Sequence, residues 1–264
     1  MIDYLNLEEN LKQKVIDLAY KDRVNVFSLA KKCNEGNFSC LRAKDDLTRL
    51  AVVIKCLEYT KAQYDRLNID DRVFFDTMSD ISIWCSNNNN KGLKNYGWIK
   101  NHLSCELFRL GRLQFQLFAC NNPTLNYSLL PFSFGEKMIY VHIPQGERLI
   151  YDDCISSLKQ AKVFFAEHFP DYEYKYFFCE SWLLYGDNSK FMSPNSNIIK
   201  FASIFDVRYS VKDDSQAIER IYGKRHLFKS RYPENTSLQK SAKKFMQNGG
   251  RLGVGIGVIP VESI

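Results

Sequence analysis

The sequence lacks the marks of several whole classes of protein. Its eight cysteines form no C-x-x-C pair and no cysteine–histidine cluster with the spacing of a zinc site, so we expect no bound metal. No apolar run approaches the ~20 residues of a membrane-spanning helix, and the amino-terminal residues do not resemble a secretory signal. These absences predict a cytoplasmic protein with free thiols and no membrane partner.

The chain also lacks a dense basic stripe and a repeat of fixed period. Its formal net charge of +6 comes from scattered lysines and arginines, which are concentrated only in residues 224–231 and 240–244. No nucleic-acid-binding motif accompanies them, so we expect no nucleic-acid partner, and the missing repeat argues against a solenoid. A mildly basic surface also suits a small anionic ligand. With 264 residues, 45% of them apolar, the chain is long enough for one large or two small globular domains.

Two kinds of hydrophobic pattern meet near residue 110. Residues 1–110 show only the three-and-four spacing of amphipathic helices, and the fifth and last of these helices is predicted over 93–110. Residues 112–118 then alternate strictly between apolar and polar side chains, which predicts a half-buried strand. We therefore predict a helical domain over 1–110 and a second domain, in which strands and helices alternate, over 111–264.

The second domain is organised around a strand, a helix and another strand. Residues 138–143 alternate and stop at Pro144, residues 152–169 carry one apolar stripe, and residues 174–184 are apolar on both faces. The two strands of such a unit are parallel, and ligands bind at their carboxyl ends and at the start of the helix. The sequence therefore predicts a ligand site in the loop of residues 144–153.

Short stretches spread along the whole chain resemble one protein family. They are residues 110–115, 141–144 with Gly146, 157–161, 164–170, 181–184 and 196–198 before Phe201. From their order and spacing, the chain resembles a family of bacterial N-acyltransferase-type proteins, in which a helical N-terminal domain precedes a GNAT-like C-terminal domain. The resemblance implies an α/β fold (α+β in some schemes) with a GNAT-type mixed β-sheet flanked by helices. It also implies transfer of an acyl group from acyl-CoA, either acetyl-CoA or a longer one, to an amine of a small molecule or peptide.

The loop after the first central strand departs from the family's pattern. A typical GNAT enzyme has Gln/Arg-x-x-Gly-x-Gly/Ala there, and the backbone N–H groups of that motif hold the pyrophosphate of coenzyme A. Here the link over residues 144–151 is longer and contains one glycine. By position, the resemblance implies that coenzyme A is bound by Ile143, Pro144, Gln145, Gly146 and Arg148, beside the start of the following helix.

Three residues near the carboxyl ends of the two central strands are candidates for the implied chemistry. His142 is a candidate because a histidine side chain can take a proton from an attacking amine, although a core histidine held by a neighbour is the ordinary alternative. Glu180 lies within an apolar strand, so it is either a proton acceptor or donor in the reaction, or half of a salt bridge, or a residue at a strand end that reaches water. Ser181 can hydrogen-bond the thioester oxygen or protonate the leaving thiolate, or it simply packs.

Four further residues are candidates for contact with the acceptor. Arg112 and Gln114 share the polar face of the strand over 112–118, where they line the acceptor site or face solvent. Trp182 walls a pocket or packs in the core. Asn197 contacts a ligand or caps the start of a helix.

Two functions remain open at this stage. The first is an acyl-CoA-dependent N-acyltransferase, in which a neutral amine attacks the thioester directly and a backbone N–H group stabilises the developing oxyanion. The second is a catalytically silent GNAT-like module for binding or regulation, which the missing glycines of the phosphate loop favour. Neither composition nor spacing identifies the acceptor, the length of the acyl chain or the oligomeric state.

Overall fold

Six α-helices precede the first strand in the computed structural model, which describes all 264 residues. They are α1 (Glu9–Lys21), α2 (Arg23–Asn34), α3 (Asp46–Arg66), α4 (Asp71–Met78), α5 (Asp80–Asn87) and α6 (Tyr96–Leu103). Aspartates fix the starts of two of them, because the Asp45 carboxylate accepts two N–H groups of α3 and the Asp70 carboxylate accepts one of α4. The helical character predicted for this part of the chain is confirmed. No helix of the protein is both long and apolar enough to cross a membrane.

The predicted fifth helix is wrong in its second half. Helix α6 ends at Leu103, and Cys105 takes a left-handed conformation with φ of +53°, which a helix cannot continue. The chain then forms strand β1 (Leu107–Leu110), of which three residues are buried. A short strand that is covered on both faces shows no alternation, so its leucines mimic helical spacing.

The remaining elements alternate between strands and helices. They are β2 (Leu113–Ala119), β3 (Lys137–His142), α7 (Tyr151–His168), β4 (Tyr176–Ser181), α8 (Asn197–Ala202), β5 (Asp206–Val211), α9 (Ser215–Tyr222), α10 (Ser237–Gln247) and β6 (Val254–Pro260). All six strands form one sheet in the order β1-β2-β3-β4-β6-β5. β1 and β2 form an antiparallel hairpin, β3 and β4 are parallel on either side of α7 in sequence, and β6 is antiparallel to both β4 and β5. The predicted mixed sheet with flanking helices is therefore confirmed.

The contacts of the chain divide it into two compact units. The first consists of Met1–Gln116, Ile143–Glu147 and Phe164–Pro170, and the second of Leu117–His142, Arg148–Val163 and Asp171–Ile264. In the first unit, Phe108 packs against Phe164 with ring centroids 4.9 Å apart. In the second, Phe178 is buried together with Met138 and Ile256. The division into folding domains at residue 110 stays a prediction.

Strand β4 is shorter than the apolar run that predicts it. The strand ends at Ser181, and residues Trp182–Leu184 form a 3₁₀ helix instead of continuing to residue 184. This turn lies directly on strand β6, since a Cβ atom at Gly255 would come within 2.3 Å of the Leu184 carbonyl oxygen. Gly253, Gly255 and Gly257 alternate with apolar residues near the end of the chain, which predicts such a close approach to the backbone of the last strand. The structure confirms it.

Candidate active site

The two parallel strands β3 and β4 are paired over only part of their length. Their register joins Ile139 to Phe177 and Tyr140 to Phe178. His142 therefore lies two residues beyond the last pair on β3, and Ser181 lies three residues beyond it on β4. The pairing ends before the strands do, at the carboxyl ends where ligands of α/β sheets bind.

Tyr140 brings the two candidate proton acceptors of the second unit to one place. Its ring stacks on the His142 ring, with centroids 4.1 Å apart and planes 20° apart. Its hydroxyl donates a hydrogen bond of 3.2 Å to the backbone carbonyl of Glu180 on the neighbouring strand. Burial, helped by the nearby Cys179 and Glu180, raises the pKa of Tyr140 well above its usual value, so the hydroxyl stays protonated. The sequence places Tyr140 on the strand face of His142, but it gives no sign of this bridge to β4.

The Glu180 carboxylate is partly buried and has neither a hydrogen-bond donor nor a cation beside it. Burial is the main cause that raises its pKa, and the negative charge of Asp213 raises it further. The salt bridge considered from sequence is therefore absent. A carboxylate with a raised pKa is suited to exchange protons closer to neutral pH.

Ser181 and Trp182 shape the turn after β4. The Ser181 side chain is buried, and its hydroxyl oxygen accepts a hydrogen bond of 3.2 Å from the Leu183 N–H group. The Trp182 N–H group donates to the Gln216 side chain at 2.6 Å, and the Trp182 carbonyl accepts from Asn188 at 2.8 Å. Their predicted roles toward substrate stay predictions, but their packing roles are visible.

Asn197 is the exposed first residue of α8 and is not its cap. The Ser196 hydroxyl caps this helix by accepting the Ile199 N–H group at 3.3 Å. Serine followed by proline at residues 193 and 194 is typical of a helix start and predicts one there, but the helix begins three residues later, at Asn197. Asn197 stays available for a ligand contact, which no interaction of the protein itself occupies.

In the first unit, arginines hold the loop that follows β3. Arg112 is only 6% exposed, and its guanidinium donates to the carbonyl oxygens of Pro144 at 3.0 Å and Glu147 at 2.8 Å. Arg109 pairs with the Glu147 carboxylate at 2.7 Å, and Asn87 donates to the Gln145 side chain at 3.0 Å. Arg112 therefore does not face solvent. Arg112 holds this loop in place through its two carbonyl contacts, and its predicted position on a polar strand face does not indicate this role.

The same loop also contains backbone N–H groups that form no hydrogen bond within the protein. The N–H groups of Gln145, Gly146 and Glu147 donate to no atom of the protein, and all three residues are exposed. Gly146 has φ of +113°, a conformation that side-chain-bearing residues rarely adopt. Successive free N–H groups of this kind can receive an anion. Helix α7 starts with two aspartates, so the loop is better suited to an anion than the helix terminus is.

Gln114 on β2 carries an unsatisfied polar group. Its side chain is 1% exposed, and its Nε2 atom has no hydrogen-bond partner. The prediction of a half-buried strand is wrong here, because Gln114 is as buried as its apolar neighbours Leu113 and Phe115. Leaving such a donor unpaired costs about 1–3 kcal/mol, so it marks a place where a ligand could complete the hydrogen bonding.

Two family descriptions match the chain and together span it. Residues 3–105 match the N-acyltransferase N-terminal domain, and residues 107–259 match the GNAT-like C-terminal domain. No curated protein sequence matches the chain.

Several solved structures share the fold. A crystal structure of an acyltransferase in complex with decanoyl-CoA and teicoplanin is 19% identical, with a TM-score of 0.79 over 98% of this chain and 86% of that chain. A mutant acyltransferase in complex with octanoyl-CoA has a TM-score of 0.78 at the same identity and coverage. A third structure, of an acyltransferase with CoA and 10C-teicoplanin, has a TM-score of 0.79, again at 19% identity over 98% of this chain and 86% of that chain.

Proposed function

Because the chain belongs to the family in which an N-acyltransferase N-terminal domain precedes a GNAT-like C-terminal domain, we propose that it is an acyl-CoA-dependent N-acyltransferase. The observation that carries the proposal is the pair of parallel strands β3 and β4, whose pairing ends before the strands do. Tyr140, His142 and Glu180 stand at that end. A reaction centre there can use polar side chains and backbone donors from two strands at once.

Acyl-CoA with a medium-length chain is the proposed donor. Structures with this fold hold decanoyl-CoA, octanoyl-CoA and CoA. In this chain, the free N–H groups of Gln145, Gly146 and Glu147 would receive the pyrophosphate, and Arg148 would add a positive charge. Ile143 and Pro144 would continue the contact toward β3. The buried Nε2 of Gln114 is a candidate partner for a polar atom of substrate.

The reaction is a direct transfer that needs two proton movements. A neutral amine nitrogen attacks the thioester carbonyl carbon, the carbon–sulfur bond breaks, and CoA leaves as a thiolate. His142 or Glu180 takes the proton that the amine loses, because both stand beside Tyr140 at the ends of β3 and β4. The thiolate then takes a proton, for which the Ser181 hydroxyl is the proposed donor. The serine regains its proton from the base that took the proton of the amine, so the enzyme ends the cycle in its starting protonation state. Teicoplanin accompanies the acyl donor in one related structure, which favours a small-molecule or peptide amine as acceptor.

The second candidate function is a catalytically silent binding or regulatory module. The observation that favours it is the phosphate loop, which contains Gly146 alone where the family's motif has two small residues. Under this alternative, His142→Gln and Glu180→Gln together leave ligand binding unchanged and no condition yields turnover.

Titration calorimetry and a turnover assay separate the two candidates. Octanoyl-CoA and decanoyl-CoA are titrated into the protein, and CoA release is then followed with a mixture of amines. The transferase proposal expects saturable binding and release that depends on added amine. Binding with no release in any amine mixture supports the silent module, and no binding at all contradicts both the donor and the proposed activity.

A further inference from the structure

A cavity of about 670 Å³ lies in the second unit. Its walls come from the segment after β4, the residue after β5, the last turns of α10 and the link from α10 to β6. The size is that of a site for one small molecule. None of its lining residues belongs to the phosphate loop or to the group around Tyr140.

The cavity concentrates positive charge that the chain leaves uncompensated. Lys190, Lys212, Lys244 and Arg251 line it, and Asp187 is the single acidic residue among them. Lys190 and Asp187 pair with each other at 2.7 Å. The other three cations form no ion pair in the protein. Three unpaired cations around one concavity attract anions, and more than one negative charge is needed to neutralise them.

One wall of the cavity is aromatic and tightly packed. Phe191 and Phe245 stack with centroids 4.9 Å apart and planes 25° apart. Phe245 lies against the backbone of Gly250, where an added Cβ atom would meet the ring at 2.5 Å. The wall is therefore preorganised, and it offers an apolar surface beside the three cations.

The cavity also lies at the end of the sheet where β4 finishes. Val211, next to the lining residue Lys212, pairs with Val254 at the start of β6. Gly255, the following residue of β6, pairs with Ser181 at the end of β4. The cavity is therefore on the β6 side of β4, whereas β3 is the neighbour of β4 on its other side.

We propose that this cavity binds a small molecule that carries at least two negative charges as phosphate groups, at a site separate from that of acyl-CoA. Lysine ammonium groups bind phosphate as point charges, and a lone carboxylate would leave two of the three cations unneutralised. The phosphate belongs either to the acceptor amine or to a free phosphate ligand. Binding of the phosphate ligand to the cavity does not depend on acyl transfer. Only the hypothesis that this ligand is the acceptor amine rests on the proposed function.

Inorganic pyrophosphate is the first probe, titrated into the full chain at low ionic strength. The triple variant Lys212→Gln, Lys244→Gln, Arg251→Gln removes the three unpaired charges. We expect it to weaken pyrophosphate binding at least about tenfold, because three charge-assisted contacts with the anion are lost together. Lys240→Gln is the matched control, since it removes one exposed charge of α10 outside the cavity. It should stay within about twofold of the wild type. Thermal unfolding of both variants establishes that they are folded.

Three results overturn the proposal, and two of them concern pyrophosphate alone: it fails to bind the wild type, or it binds the folded triple variant as tightly as the wild type. A third is a triple variant that loses octanoyl-CoA as strongly as pyrophosphate, because the cavity would then belong to the donor site. Unchanged octanoyl-CoA binding in that variant supports a separate site. Failure of octanoyl-CoA to bind the wild type contradicts the transferase proposal alone and leaves the pyrophosphate result standing.

A second pair of probes identifies the source of the phosphate. O-phosphoethanolamine and ethanolamine differ only by the phosphate group, and both carry an amine. Tighter binding of the phosphorylated amine, in competition with pyrophosphate, supports the acceptor as the source. Pyrophosphate binding without any competition from the phosphorylated amine supports a free phosphate ligand.

Discussion

Among the candidate residues, Glu180 has the surroundings that most clearly indicate a role in proton transfer. It has no partner, its pKa is raised chiefly by burial, and Asp213 adds to the shift. If it accepts the proton of the amine, Glu180→Gln lowers kcat by about 10²–10⁴-fold and leaves the KM for acyl-CoA nearly unchanged. A steady-state assay of CoA release measures both constants. Wild-type kcat in the Gln variant would remove Glu180 from the mechanism and leave His142 as the acceptor.

The pH profile tests the same carboxylate through its neighbour. A base must be ionised, so activity should fall as the pH drops through the raised pKa of Glu180. Asp213→Asn removes a negative charge that raises this pKa, so the acidic limb should move to lower pH. Exposed Asp206→Asn is the control, since Asp206 does not contribute to the shift of Glu180. An acidic limb that stays in place in Asp213→Asn contradicts the assignment.

The raised pKa of Glu180 also has a consequence for stability. The folded state binds this proton more tightly than the unfolded state, so the contribution of Glu180 to stability is lost as pH rises from its ordinary value through the raised one. Glu180→Gln cannot ionise, so urea unfolding should give it a higher free energy of unfolding than the wild type above that range. The two proteins should converge below it. A variant that is less stable at neutral pH would contradict the unpartnered environment.

Gly146 is the residue on which the free donors of the phosphate loop depend. Its φ of +113° is strained for alanine, although an added Cβ would meet no atom within 4 Å. Gly146→Ala should therefore weaken octanoyl-CoA binding about tenfold through the backbone alone. Gly186→Ala is the matched control, because it also meets no atom and has no positive φ. Calorimetric titration of both variants makes the comparison, and equal affinities would exclude the loop as the pyrophosphate site.

At the scale of elements, Arg112 holds the conformation of the loop that follows β3. Two different nitrogens of the Arg112 guanidinium, Nη1 and Nη2, donate to the carbonyls of Pro144 and Glu147, and the single ammonium nitrogen of lysine does not reproduce this planar two-nitrogen geometry. Arg112→Lys should raise the dissociation constant for octanoyl-CoA at least several-fold. Arg109→Gln should have a smaller effect, because it removes only the ion pair with the exposed Glu147 carboxylate. A larger loss in Arg109→Gln than in Arg112→Lys would contradict this account of how the loop is held.

The central strand–helix–strand unit could be predicted from the sequence because its patterns are local. The alternation of β3, the apolar stripe of α7 and the apolar run of β4 each appear within a few residues, and the observed bounds differ from the predicted ones by one to three residues. β1 could not be predicted, because a four-residue strand buried on both faces has the same composition as a helix turn. The 3₁₀ helix after β4 could not be predicted either, because it depends on the contact of Leu184 with Gly255, which lies far along the chain.

For the candidate site residues, the sequence pattern predicts the strand and the face on which each side chain lies, but not the groups that it contacts. His142 and Glu180 follow from strand ends, whereas the bridge between them through Tyr140 depends on the register of two strands. The alternating pattern predicts a polar strand face for Arg112 and Gln114, yet both side chains are buried. That face is covered by segments distant in the sequence, so the alternation of apolar and polar residues within the strand does not show its burial.

At the scale of the whole molecule, the family can be predicted from the order of sequence segments, whereas the cavity can be seen only in the fold. The two family descriptions follow one another along the chain in the predicted order. The cations of the phosphate-binding cavity come from four separate segments, so the sequence shows them only as scattered charge. Phosphorylated substrates and acyl-CoA are therefore expected to bind this protein independently of one another.

Calorimetric titration of the wild-type protein with octanoyl-CoA tests the central claim most directly. The account predicts saturable binding of one octanoyl-CoA per chain, carried by the loop between β3 and α7 and the unpaired ends of β3 and β4. Heats no larger than dilution with octanoyl-CoA, decanoyl-CoA and acetyl-CoA alike would contradict it.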